Sequence, residues 1–104
     1  MRQITRQMRE AFLNCQSFNK DNTKVVVNQN SPCGTLTQIY LHNNLIAEDS
    51  DTGFFITNAG WFSNVTKERL NALPNVSICQ KKGVWYLNGN KWDGQLTNVR
   101  QWVK

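Results

Sequence analysis

From Ile4 onward, apolar residues recur at helical intervals. Ile4, Met8, Ala11, Phe12 and Cys15 fall on one face, which predicts a helix over residues 4–16 with that face turned inward. Thr5 is a candidate cap. The period then changes. "NKDN" (19–22) reads as a turn, and "TKVVVNQ" (23–29) as a strand, because its three valines are β-branched. After the loop "NSPCG" (30–34), "TLTQIYLHNNLIAED" reads as a hairpin. Asn43-Asn44 supplies its two-residue turn, since Asn tolerates the positive φ of a type I′ turn. That register sets Leu41 opposite Ile46 and Ile39 opposite Glu48. "SDTG" (50–53) turns into the strand "FFITN", and "AGW" (59–61) leaves it.

A second helix is predicted from Lys67 to about Leu73. Thr66 is its N-cap, Val65 and Leu70 have the spacing of a hydrophobic staple, and Pro74 stops it. "VSICQ" and "VWYLN" form a hairpin across "KKG", with further turn signals at Asn88-Gly89 and Asp93-Gly94. Gly83, Gly89 and Gly94 fit positions of positive φ. The closing "LTNVRQWVK" is a strand or an irregular tail, although Leu96, Val99, Trp102 and Val103 fit helical spacing better than alternation. The expected fold is therefore α+β. It is a single domain over residues 1–104, with an antiparallel sheet of five or six short strands and both helices on one face. Leu41, Ile46, Phe55, Leu70, Leu73, Ile78 and Leu87 are expected to be buried together.

Composition refines this picture in three ways. At 104 residues, roughly two-thirds of the unfolded surface can be buried, enough for a core without staples. Fourteen Asn point to many turns and short elements. The net charge of +5 permits nucleic acid, an anionic membrane surface or an acidic protein as partner, and does not choose among them. The cysteines, Cys15, Cys33 and Cys79, are odd in number and widely spaced, and with a single His they make no plausible zinc site. They read as three reduced thiols of a cytoplasmic protein. No apolar run approaches ~18 residues, and the N-terminus is too polar for a signal peptide.

Candidate chemistry is sparse. His42 stands beside a turn with no nucleophile or carboxylate near it in sequence. "EDSD" (48–51) holds three carboxylates, but the position where a cation loop needs its bidentate Glu is Gly60. Nucleotide, metalloprotease and hydrolase motifs are missing from the sequence, so an enzyme is not expected, nor a cofactor or metal. Binding has better support. Arg2, Arg6 and Arg9 make a basic stripe on the first helix, a solvated face or an edge for phosphate or an acidic partner. Lys81 and Lys82 precede Trp85 and Tyr86, the cation-plus-ring combination of single-stranded nucleic-acid binders. Trp85 and Leu87 fall on one strand face, Val84 and Tyr86 on the other. One of the two rings is therefore expected to remain substantially exposed beside the lysines.

The chain resembles a family of small, functionally unassigned proteins of tailed bacteriophages and prophages. The resemblance is carried by "YLHNNLIAE", "NAGWFSNVTKERLNALPNVSICQKKGVWYLNG" and "WDG". It implies a phage-encoded accessory protein of the infected cytoplasm, and it implies no activity. Two function classes follow. The first is a non-enzymatic protein that binds a host or host-defence protein. The alternative is direct nucleic-acid binding by a basic sheet face bearing aromatics.

Overall fold

A computed structural model describes residues 2–31, 34–50 and 53–99. Helix α1 spans Gln3–Leu13 and buries Met8, Ala11 and Phe12 as its periodicity requires. It is shorter than expected. Cys15 takes a positive φ of 54°, Gln16 N–H donates to the Ala11 carbonyl at 2.8 Å, and Cys15 N–H donates to Phe12. This is a Schellman ending, which turns Cys15 out of the helix and into solvent. Thr5 is not a cap. It lies within the first turns, fully buried, and the N-cap position is Arg2, whose side chain makes no capping bond.

Five strands follow from the chain order: β1 (Phe18–Lys20), β2 (Thr23–Ser31), β3 (Gly34–Leu41), β4 (Asn44–Ser50) and β5 (Gly53–Ile56). With β9 (Thr97–Asn98) they form one antiparallel sheet in the order β1-β2-β3-β4-β5-β9. The β3–β4 turn is His42-Asn43, not Asn43-Asn44. Both residues have positive φ, 52° and 66°, and Leu41 pairs with Asn44. A bulge between Ile39 and Tyr40 then shifts the register by one, so that Ile39 meets Ala47, where the uninterrupted ladder would set Ile46 and the expected register Glu48. The bulge lets consecutive residues Ile46 and Ala47 both reach the core, which regular alternation forbids. Of the "SDTG" turn, Asp51 and Thr52 lie outside the described residues, while Ser50 pairs with Gly53 as a hairpin there demands. In β5 it is Phe54 and Ile56 that face inward. Phe54 stacks 5.5 Å from Phe12, and Phe55 is only half-buried, contrary to its expected place in the core.

Helix α2 spans Asn64–Asn71, one turn earlier than its apolar spacing suggested. Ser63 is the N-cap, its Oγ accepting from Thr66 N–H at 3.2 Å, and Thr66 is buried inside the helix. Helix α2 ends before Pro74, as expected. Strands β6 (Ile78–Lys81), β7 (Val84–Leu87) and β8 (Asn90–Lys91) make a separate three-stranded sheet. Its turns, Lys82-Gly83 and Asn88-Gly89, have positive φ at both residues. Asparagines close the gaps around this sheet. Asn71 accepts from Ile78 N–H at 2.6 Å and donates to Ile78 O at 3.0 Å, and Asn88 bridges Ser77 N–H and Asn75 O. Thr97–Asn98 completes the large sheet instead of continuing a helix. Val99 N–H donates to Phe54 O at 2.7 Å and its side chain is fully buried. Trp102 and Val103 lie outside the described residues.

One apolar cluster joins both sheets and both helices. It contains Leu41, Ile46, Leu70, Leu73, Ile78 and Leu87 as expected, together with Trp85 and Trp92, whose rings lie 6.3 Å apart. At the junction of α1, β2 and α2, Arg69 is 2% exposed. Its guanidinium donates to Thr5 Oγ1 at 2.7 Å, Thr23 Oγ1 at 3.2 Å and Glu68 Oε1 at 2.5 Å. Burial pushes the Arg69 pKa down; neighbouring Glu68 opposes this and Arg2 adds to it. This ionic knot pins three elements together, because a buried cation needs its partners in place.

Candidate interaction surface

The expected binding residues lie on different elements, the arginines on α1 and its N-cap and the others on β6, β7 and the turn between them. Arg2 and Arg6 are exposed and Arg9 is half-buried on α1. Lys81 and Lys82 are exposed at the end of β6 and the tip of the hairpin. Trp85, expected as a possible exposed ring, is 2% exposed, and Tyr86 on the opposite face is half-buried. Neither ring is substantially exposed: Trp85 meets the core, packed against Trp92 and Phe62, and Tyr86, on the outward face, keeps only part of its surface in solvent.

The large exposed rings are elsewhere. Trp61 is 60% and Phe62 57% exposed, side by side in the connection from β5 to α2. Thr57 Oγ1 donates to the Gly94 carbonyl at 2.6 Å and accepts from Ala59 N–H. Asn58 Oδ1 accepts from Gly60 N–H at 2.8 Å, and Asn58 O accepts from Trp61 N–H at 2.9 Å. Positive φ at Ala59 and Gly60 makes the reversal. Asn58 itself is 1% exposed, and its Nδ2 has no partner among the described residues. Gly94 packs directly on the Asn58 amide, where a side chain would collide. The two rings are thus presented by a loop anchored at both ends, with Phe62 edge-on to Trp85 at 5.1 Å.

Beside Trp61 lies a groove of about 510 Å³. Leu41 and Ile46 from the large sheet, Trp61 from the loop and Val65 from α2 give it an apolar lining, with His42 and Ser63 among its polar members. No Lys, Arg, Asp or Glu lines it among the described residues. A second hollow of about 320 Å³ around the β1–β2 turn is polar, with Asn22 Nδ2 3.4 Å from His42 Nε2 and Lys24 over the Tyr40 ring. Cys15 and Cys79 are free thiols, and Cys33 lies outside the described residues. Among the described residues no three His, Cys, Asp or Glu side chains converge as metal ligands would, and no helix is long and apolar enough to cross a membrane.

The family model for the Kyanoviridae Gp96 protein matches residues 1–104. The chain belongs to the Kyanoviridae Gp96 family. No curated protein and no solved structure matches it. Membership in the Gp96 family makes this a phage protein and assigns it no chemistry. Sequence reasoning missed these rings: in "NAGWFS" the aromatic pair lies between a turn and a helix cap, outside any strand or helix period that would assign it to the core or to the surface.

Proposed function

We propose that this phage protein is a non-enzymatic binding protein of the infected host cytoplasm, and that it engages a host or host-defence protein through Trp61, Phe62 and the adjoining groove. The observation that carries this reading is the pair of adjacent aromatics, 60% and 57% exposed, held on a pre-shaped loop. Large rings contribute most of the affinity at protein interfaces, and a loop already in its bound shape loses little entropy on association. The groove carries no Lys or Arg among its lining residues, which favours a protein over a nucleic acid, whose phosphates require them.

The test is recovery of partners from infected host cells by the tagged protein and by Trp61→Ala and Phe62→Ala variants, read by quantitative mass spectrometry. A host protein enriched by the wild type should fall at least about tenfold with Trp61→Ala, matching a hot-spot loss above ~1.4 kcal/mol. The variant's melting temperature should be nearly unchanged, because Trp61 is mostly in solvent. Equal recovery by wild type and variant would remove the loop from the interface.

A further inference from the structure

We propose that the outer face of the β6–β8 sheet is a second binding surface, separate from the Trp61 groove, and that its ligand is single-stranded nucleic acid. Cys79 pairs with Tyr86, and Tyr86 with Lys91, forming one row across all three strands. Residues directly opposite in a sheet point to the same side, so the row shares a face. Lys81 and Val84, themselves paired, lie two residues along on that same face. The other face carries Ile78, Trp85 and Leu87, all buried in the core. The Tyr86 face is therefore the outward one: Cys79, Lys81 and Lys91 are exposed, Tyr86 and Val84 half-buried, and Lys82 stands at the hairpin tip.

Charge selects the ligand class. Between Asn75 and Trp92 there are three lysines and no acidic residue, leaving nine basic against seven acidic residues for the rest of the chain. Three of the five net positive charges thus belong to this small sheet. An aromatic ring among lysines on a sheet offers a stacking partner to a base and counter-charges to its phosphates. Duplex fits poorly. Its bases are already stacked on each other, and its major groove admits a helix or a two-stranded ribbon, not the face of a three-stranded sheet.

The experiment is fluorescence anisotropy of a fluorescein-labelled oligothymidine of about twelve nucleotides, titrated with the full chain at several NaCl concentrations. Binding should appear at low salt. Log affinity should fall with log salt with a slope of about −2, from about 0.7 per neutralised phosphate for three lysines. Lys82→Ala and Lys91→Ala should each reduce that slope by about 0.7. Tyr86→Ala should weaken binding about five- to 150-fold, the range of one base stack, while Tyr86→Phe retains it. If Tyr86→Ala fails to fold, the lysine variants and Tyr86→Phe still decide. Trp61→Ala should bind the oligonucleotide as wild type does, which separates this surface from the protein-binding groove. No binding at ~50 mM salt, equal affinity for a duplex, or binding indifferent to Lys82→Ala and Lys91→Ala would overturn the proposal. So would binding of polyglutamate without binding of the oligonucleotide, which would reassign the face to an acidic protein.

Discussion

Replacing Gly94 by alanine should be the most damaging one-carbon change near the exposed loop. Gly94 has a φ of 91°, where an L-residue is strained by about 1–2 kcal/mol. Its added β-carbon would overlap the Oδ1, Cγ and Nδ2 atoms of Asn58. Asn58 is 1% exposed and cannot swing into solvent without opening the turn. Moving it gives up the 2.8 Å bond to Gly60 N–H, about 1 kcal/mol. Accommodating the extra volume adds about 1–3 kcal/mol. The total is about 3–6 kcal/mol, a large part of the ~5–15 kcal/mol that a domain has. Gly60→Ala is the control, because Gly60 has a φ of 86° but open space where its β-carbon would go. It should cost only the ~1–2 kcal/mol of backbone strain. In urea unfolding followed by tryptophan fluorescence, with a slope of ~1.5 kcal/mol per M, Gly94→Ala should lower the midpoint by about 2–4 M and Gly60→Ala by about 1 M. Equal midpoint shifts would refute the idea that Asn58 and Gly94 together lock the loop.

At the ionic knot, Arg69→Met should cost about 1 kcal/mol and Arg69→Ala about 3 kcal/mol by chemical denaturation. Methionine keeps the volume, while Thr5 still donates to Glu68 and Thr23 to Asn22, so no hydroxyl is stranded; the Glu68 pair contributes little of the difference because Glu68 is 30% exposed. Equal losses would show that the hydrogen bonds, not the packing, dominate. With a thiol-reactive dye, Cys15 and Cys79 should react promptly in the native protein, and denatured, non-reduced protein should yield three equivalents; a missing pair would contradict the reading of three free thiols.

Much of the local structure was legible because it is written in neighbouring residues. Lys82-Gly83 and Asn88-Gly89 were readable as tight turns, since Gly, and to a lesser degree Asn, tolerates the positive φ that such turns take. Met8, Ala11 and Phe12 define an inward stripe by spacing alone. Where two local solutions were nearly equal, long-range contacts chose. Asn43-Asn44 and His42-Asn43 are both possible turns, and the second is taken with His42 N–H donating to Asn22 O and a bulge that buries Ile46 and Ala47 together. Ser63 rather than Thr66 caps α2, leaving Thr66 buried within the helix.

The candidate surfaces divide along the same line. Sequence determined that Trp85 and Tyr86 lie on opposite faces, that lysines cluster beside them, and that the chain resembles phage proteins, because alternation, composition and motif are local properties. It could not determine which face meets the core, since period two fixes relative direction and not absolute direction. Only the tertiary structure turned Trp85 inward against Phe62 and Trp92 and set Tyr86 outward in a row with Lys91. Only it left Trp61 and Phe62 in solvent, because a loop residue has no periodic partner and its exposure depends on whether another element happens to cover it.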